Sequence, residues 1–444
     1  MTTPAVSAYG RVRGLIERWA GDRSLRVIAA NTGWLVFDKL GRALVGLLVG
    51  AWVARHLGPS EYGTLAFVLA YIALFLPLAN LSADQIVVRN VSQALASQEE
   101  ILGSALALRL TLGVACWALA VAGVAVFDGD NGRLILLTAI VGGTLIFQAA
   151  DVVDLWFQSQ TQSRRTVAAK LVAYLTSNAI KVALILSEAS VAAFAAVTAL
   201  EGLLGALALA AAYRRFRTSR AWGLNRKTCA DVARQASPLM LTGLAIMAYM
   251  RVDQILVKEV LGAHELGLYA AILPLSQFWQ MLPMTIATSV APFVARRRQA
   301  DPEGYRRTIV LLMRLFFYAG VATTLATYAV SGWLVPTLFG DAYAPAVLAL
   351  DVHVVSNVFC FLGLGASLWL VNEHRTASML YATIAGGIAS VALNLVLLPH
   401  IGLVGACLAA IAAQAVASFA AHAWLNPALM RLQLEAITFR RYRP

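Results

Sequence analysis

Twelve apolar stretches follow one another along this chain, many of them 18 residues or longer and nearly free of charge. A run of that length, coiled as a helix, crosses the roughly 30 Å hydrocarbon layer of a membrane. Too much of the chain is apolar for one soluble core: 60% of the 444 residues are hydrophobic, 13% are charged, and mean hydropathy is +0.72. Soluble domains carry about 25% charged residues. In lipid the backbone has to satisfy its own hydrogen bonds, and the runs lack the two-residue alternation of a membrane barrel, so helices are the spanning form. Spans are predicted at 28–54, 63–83, 102–127, 133–158, 167–187, 190–213, 237–259, 267–293, 308–338, 344–371, 377–399 and 402–424. The fold class is therefore an all-α polytopic membrane protein of about 12 transmembrane helices.

The positive charges sort by side. The connections at 84–100, 160–170, 214–235, 295–307 and 372–376, with both termini, hold about 26 of the 35 Lys and Arg. The alternate, shorter connections hold Arg55, Arg133 and Lys258. By the positive-inside rule the basic loops and both termini are cytoplasmic, which an even helix number permits. The same pattern accounts for the net charge of +12, so nucleic acid is set aside as a partner. The first 26 residues, Arg-rich with Leu15, Ile16 and Trp19 interspersed, are expected to lie on the membrane surface. The first apolar run is too long for a signal sequence, and no cleavage site is evident. Cys116, Cys229, Cys360 and Cys407 show no CxxC spacing, so neither a disulfide framework nor a zinc site is indicated.

A repeat divides the chain. Leu57-Gly58-Pro59-Ser60-Glu61-Tyr62-Gly63 follows the first span, and Leu261-Gly262-Ala263-His264-Glu265-Leu266-Gly267 follows the seventh. Both copies are predicted on the same side, which implies parallel six-helix repeats related by an axis along the membrane normal. The organisation is a basic N-terminal segment (1–26), an N-terminal lobe (27–213), a basic linker (214–235), a C-terminal lobe (236–425) and a tail (426–444).

These residues also carry a family resemblance. Asn31, Trp34, Arg42, the stretch Val53 to Gly63, and Asp84 to Arg89 are similar to the N-terminal signature of polysaccharide and O-antigen flippases. Trp156 to Gln160, Ser237-Pro238, Arg251-Val252-Asp253-Gln254, Gly267 to Ala271 and Ile401 to Ala406 match further along, in the same order. The family sits within the superfamily of multidrug, oligosaccharidyl-lipid and polysaccharide exporters. The resemblance implies two lobes around a central cavity, alternating access, and a polyprenyl-diphosphate-linked glycan as substrate. It also implies a bacterial inner membrane location, with other polysaccharide assembly proteins as partners besides the lipid bilayer.

Charges inside the spans are the candidate site residues, because each is costly in lipid unless paired or facing a cavity. Asn31, Asp38 and Arg42 share one face of helix 1, and Lys39 lies off it. Asp38 and Arg42 are either a self-neutralising i,i+4 pair or part of the substrate path. Arg251 and Asp253 on helix 7 point to different faces, so Arg251 needs a carboxylate from another helix or the substrate itself. Arginine's planar fork suits phosphate oxygens. Lys181 stands near the middle of helix 5 with little room to reach an interface. Arg109, Arg314 and Asp351 are the other isolated charges. Asp151 and Asp154 end helix 4; they either share a proton for ion coupling or are simply solvated at the boundary. Gln277 and Gln280, between Pro274 and Pro283 on helix 8, form a glycan-facing or hinge segment. Gly46 and Gly50 make a GxxxG pattern of intramolecular helix packing.

No phosphate loop, dinucleotide fingerprint or HExxH cluster is present, so no cofactor is expected and transport is not directly ATP-driven. The coupling ion, proton or sodium, stays open. Short outer loops argue against a membrane-embedded glycan polymerase. The cationic set Lys39, Arg42, Lys181 and Arg251 argues against the alternative of a multidrug or cation antiporter. The predicted 12 helices fit the O-antigen branch better than peptidoglycan-precursor flippases, which resemble a 14-helix design.

Overall fold

The computed structural model describes the backbone of residues 23–93, 97–216 and 222–438, and the side chains of 41–93, 97–215 and 222–438. The side chains of Asn31, Asp38 and Lys39, and nearly all of the basic N-terminal segment, lie outside the described residues.

Among the described residues, ten continuous helices are long and apolar enough to cross a membrane. Two of them are double. The helix Arg23–Ala79 has 57 residues, which at 1.5 Å each would measure about 85 Å, far more than a bilayer. It breaks at Gly58 (φ 72°, ψ 167°). Thr376–Leu425 breaks at Ile401 and Gly402. Each supplies two crossings, so the described residues make twelve, the number predicted. Gly262 (φ 95°, ψ 174°) and Gly340 (φ 91°, ψ 168°) make equivalent turns after the seventh and ninth crossings. Only glycine adopts this backbone region without strain. All four turns lie at the end of the bundle with the short loops.

The third to sixth crossings are Gln98–Phe127, Gly132–Ser159, Arg164–Leu186 and Val191–Arg215. The seventh to tenth are Arg226–Leu261, Ala263–Ala300, Pro302–Phe339 and Ala346–Asn372. The fourth is interrupted by a 3-10 turn at Gln148–Ala150. The eighth breaks between Phe278 and Met281.

The hydrophobic core explains how the lobes sit. At the short-loop end one cluster unites both lobes, with Ala54, Val68 and Phe194 from the first and Val257, Tyr269 and Tyr343 from the second. At the basic end it splits. Ile86, Leu102, Trp156 and Phe157 form a core for the N-terminal lobe, and Ile309, Phe316, Phe361 and Leu429 form a separate one for the C-terminal lobe. The lobes thus share a core at one end and divide into two cores at the other, where the start of the seventh crossing joins that of the N-terminal lobe.

Two boundaries differ from expectation. The seventh crossing begins at Arg226, inside the segment expected to be a linker, because Asn225 caps it through Lys227 N (2.9 Å) and Val232 and Ala236 pack on the N-terminal lobe. The tail carries a helix, Pro427–Thr438, held against the ninth crossing: Arg314 donates to the carbonyls of Glu435 and Ala436 (3.0 and 3.1 Å), and Arg306 pairs with Glu435.

Candidate functional site

The two copies of the repeat meet each other at the short-loop end. A Cβ on Gly63 would fall on the carbonyl oxygen of Ala263, and a Cβ on Gly267 on that of Pro59. Positions 59 and 263 are equivalent, as are 63 and 267, so the contact is reciprocal and the two-fold axis runs through it. Ser60 Oγ and His264 Nδ1, also equivalent positions, stand 3.4 Å apart across it. Further bonds tie the lobes here: Lys258 Nζ to Asp128 (2.7 Å) and Tyr343 Oη to the carbonyl of Ala54 (2.8 Å). Arg133 pairs with Glu61 nearby. This seam closes the short-loop end.

Inside the N-terminal lobe a cavity of about 400 Å³ opens among the first, fourth, fifth and sixth crossings. Arg42, Gln148, Asp151, Lys170, Tyr174 and Glu201 are among its lining residues. Lys170 Nζ is held between Asp151 (2.8 Å) and Asp154 (2.7 Å). The helical turn at Gln148–Ala150 starts a new helix at Asp151, placing both carboxylates on its first turn, where the helix dipole favours them. Arg42 Nη2 donates to the carbonyl of Val167 (3.2 Å) and its guanidinium lies 6.0 Å from the Tyr174 ring, while Tyr174 Oη donates back to the Arg42 carbonyl (2.8 Å). Glu201 accepts from Ser177 (2.7 Å) and pairs with Lys181 (3.3 Å). Gly46 gives room for Tyr174, whose hydroxyl stands 2.9 Å from where a Cβ would be.

Three charges expected to be isolated are not. Lys181 has Glu201. Arg109, with its side chain 4% exposed, pairs with Asp84 at 2.5 Å. Arg314 is satisfied by the tail helix. Sequence reasoning missed Glu201 and Lys170. The signal for Glu201 was present: it is a single carboxylate in the run 191–213, and Lys181 needed a partner.

The C-terminal lobe is arranged otherwise. Asp253 accepts from Tyr269 Oη (2.6 Å), and a buried set of hydrogen bonds lies in the same lobe, between His353 and Ser276 (3.0 Å), from Asn357 to the Ser276 carbonyl (2.8 Å) and from Gln280 to Asn357 (2.9 Å). Gln280 is thus spent inside the lobe, and Gln277 is exposed at the helix break. Arg251 stands eleven residues before Gly262, about 16 Å into a layer of roughly 30 Å. Among the described residues no hydrogen bond or ion pair within 4.0 Å engages it, and its Nε is buried. Asp351 likewise has a buried carboxylate oxygen without a hydrogen bond. Beside Arg251, the seventh and eleventh crossings enclose a groove of about 500 Å³ lined by Ala245, Ala248, Val252, Ile384, Ile388 and Leu395 with other apolar neighbours. Among the described residues no group of His, Cys, Asp and Glu is arranged to hold a metal.

Among curated proteins none matches this chain by sequence. Solved structures do match in fold. An inward-facing multidrug resistance transporter of the MATE family of the MOP superfamily aligns at a TM-score of 0.74 and 15% identity, over 88% of this chain and 96% of that one. The lipid II flippase MurJ in an inward closed conformation aligns at 0.67 and 11%, over 90% of each chain. A MOP superfamily transporter from Pyrococcus furiosus, described as having a binding pocket of reverse polarity, aligns at 0.62 and 15%, over 90% and 95%. With this architecture, the duplicated seam and a match over residues 28–298, the chain belongs to the polysaccharide biosynthesis protein family and has the fold of the MOP superfamily structures.

Proposed function

We propose that this protein is a flippase that carries polyprenyl-diphosphate-linked oligosaccharide from the cytoplasmic to the periplasmic leaflet of a bacterial inner membrane, in cell-surface polysaccharide biosynthesis. Arg251 is the observation that carries this reading. Among the described residues no hydrogen bond or ion pair within 4.0 Å engages this arginine near mid-membrane and Asp253 acts on it only at longer range, so an anionic ligand in direct contact would offset the cost of its burial. A diphosphate matches its planar fork. The basic loops support, by the positive-inside rule, a cytoplasmic position for the basic end and both termini. The head group enters there between the separate cores, the seam at Gly63 and Gly267 parts, and the head group leaves on the other side. No covalent bond is made or broken. Asp151 and Asp154, both paired with Lys170 beside the cavity, are the position for ion coupling.

The test is leaflet transfer of a polyprenyl-diphosphate oligosaccharide in vesicles containing the purified protein. Arg251→Ala should lower transfer about 10–100-fold, the size expected for losing hydrogen bonds to a charged group, and Arg251→Lys should retain part of it. Wild-type rates in Arg251→Ala would remove the assigned role. A second reading, export of a cationic drug, is favoured by one observation: the Asp151–Lys170–Asp154 cluster carries one more carboxylate than amine. Drug efflux from the same vesicles, lost in Asp154→Asn, would support it over the flippase.

A further inference from the structure

The twelfth crossing does not reach its basic end as a plain α-helix. Val416–Ala420 form a π-helical turn, closed by the N–H of Ala421 on the carbonyl of Val416 (3.0 Å). Such turns are rare in helices and recur at functional sites. This one is built into the packing. It pushes Ser418 and Ala417 toward glycines on the tenth and eleventh crossings: a Cβ on Gly363 would fall 2.4 Å from Ser418 Oγ, and one on Gly386 would fall 2.7 Å from Ala417 Cβ. Beside the turn lies a cavity of about 210 Å³, with Tyr249, Cys360, Ser418 and His422 in its lining. Interiors are otherwise close-packed, so this void leaves room for Ser418 to move.

The tail helix holds this turn. Leu429, Leu432, Gln433 and Ala436 form one buried stripe at helical spacing, and Gln433 is its polar member. Gln433 Nε2 donates to the carbonyl of Ser418 (2.8 Å), and Gln433 Oε1 stands 3.1 Å from His422 Nδ1. In an uninterrupted α-helix the Ser418 carbonyl would accept from the N–H of His422. Gln433 thus supplies from the tail the donor that the helix would supply itself. The line of bonds continues inward. Gln414 Nε2 donates to Ser418 Oγ (3.4 Å), and Tyr249 Oη of the seventh crossing donates to Gln414, two residues before Arg251. Arg314, which binds the far end of the tail helix, stands 26 residues before Gly340. That is about 39 Å from the short-loop end, beyond a hydrocarbon layer of roughly 30 Å. The anchor of the tail therefore lies outside the lipid, at the basic end.

We infer that the tail helix is a latch on the twelfth crossing. Docked, it holds the π-turn through Gln433 and fixes the seventh crossing through Gln414 and Tyr249. Undocked, the Ser418 carbonyl takes the N–H of His422 and the turn becomes α-helical. Loss of the extra residue rotates 421–425 by about 100° against the rest of the crossing. Ser418 then leaves Gly363, and Gln414 and Tyr249 are released.

The experiment uses the full-length protein in nanodiscs, with Cys360 of the cavity as reporter and Cys229→Ser as background, since Cys116 and Cys407 are buried. N-ethylmaleimide modification of Cys360 is followed by peptide mass spectrometry. Gln433→Leu keeps the apolar stripe and removes both bonds. It should speed modification about 10-fold, the effect of two lost hydrogen bonds on an opening equilibrium. Its melting temperature should be unchanged, because the freed carbonyl finds the His422 N–H. An unchanged rate, or a raised rate with a lowered melting temperature, would make Gln433 a static contact and overturn the latch. Transmission is read at Met250, exposed on the seventh crossing, through an environment-sensitive dye on Met250→Cys in a cysteine-free background. Gln433→Leu should shift its emission, and Tyr249→Phe should abolish that shift; no shift would overturn the link to the seventh crossing. In wild-type protein warmed below its melting temperature, amides of 429–437 should begin to exchange as Cys360 becomes reactive. Exchange with Cys360 still silent would overturn the latch without any variant. None of these readouts uses a lipid-linked glycan, so the latch and the flippase stand or fall separately.

Discussion

The two lobes descend from one repeated unit, yet they have opposite interiors where the first and seventh crossings meet their partners. In the N-terminal lobe the first crossing faces the fifth across a polar cavity, and every charge with a described partner set is paired: Lys170 with Asp151 and Asp154, Lys181 with Glu201. In the C-terminal lobe the seventh crossing faces the eleventh across an apolar groove, and Arg251 beside it has no hydrogen bond or ion pair within 4.0 Å among the described residues. Even the packing of tyrosine on glycine is reversed. Tyr174 of the fifth crossing lies on Gly46 of the first, whereas Tyr249 of the seventh lies on Gly387 of the eleventh. Duplication preserved the backbone frame, and the contents of the two halves diverged. An amphiphile with a polar head and an apolar tail suits that division, one wall for each part.

What remained the same is the seam, and it gives the largest expected effect. Gly63→Ala and Gly267→Ala each place a methyl group on the partner lobe's backbone. Because backbone cannot move aside as a side chain does, each should cost about 1–3 kcal/mol or more of lobe closure. The two substitutions should cost the same within error, and the double variant less than their sum, since one methyl already parts the seam. Gly50→Ala, which meets nothing within 4 Å, is the control and should be silent. The measurement is disulfide yield between Ser60→Cys and His264→Cys. Unequal losses from the two glycines would break the reciprocity on which the comparison of the lobes rests.

The next effect separates the lobes by its sign. Lys170→Met leaves Asp151 and Asp154 facing each other and should lower stability by about 1–3 kcal/mol, below the cost for a fully buried pair because the cluster is partly exposed. Arg251→Met removes a charge that no hydrogen bond or ion pair within 4.0 Å engages among the described residues, with Asp253 acting on it only at longer range, and should raise stability by about 1–2 kcal/mol, a fraction of the membrane cost of a central arginine. Thermal unfolding in detergent reads both. Two losses of similar size would mean that Arg251 is held by the protein and is not waiting for a ligand.

Much of the frame was legible in the chain. Helix number, the sorting of basic loops and the repeat all follow from hydropathy, charge and spacing, which act locally or over whole segments. Two of the four turn glycines, Gly58 and Gly262, had a local signal too, in the Leu-Gly of the repeat. The site was less legible, because pairing across helices depends on rotation about each helix axis. Lys170 was counted with a basic loop, but six residues beyond Arg164 it reaches back to Asp151 and Asp154. Lys181 and Arg109 looked isolated because their partners, Glu201 and Asp84, lie 20 and 25 residues away in sequence. Asn31, Asp38 and Lys39 have side chains outside the described residues, so their place in the path rests on the sequence alone. The groove beside Arg251 had no sequence signal, since its residues are ordinary for a lipid-facing helix and only their joint placement makes a trough.

The smallest effect concerns how crossings begin at the basic end, where the lobes differ again. In the N-terminal lobe Ser97 and Ser163 precede the third and fifth crossings without a capping bond from their side chains. In the C-terminal lobe Asn225 and Asp301 precede the seventh and ninth, and both cap. Asp301 accepts from Gly304 N (2.8 Å), and this bond, with Arg297 beside it, holds its carboxyl below the usual value of 3.8. A lowered carboxyl stabilises the folded helix start above pH 3.8, and that contribution disappears as pH falls through the lower folded value. Asparagine caps as well as aspartate but does not titrate there. Asp301→Asn should therefore keep the first turn of the ninth crossing protected at neutral pH and remove its acid sensitivity. Hydrogen exchange of peptides covering 302–308, compared between variant and wild type at each pH, measures it. Protection that falls with pH in both proteins would place the acid-labile group elsewhere, with Glu303 paired to Arg307 at 2.9 Å as the nearest alternative.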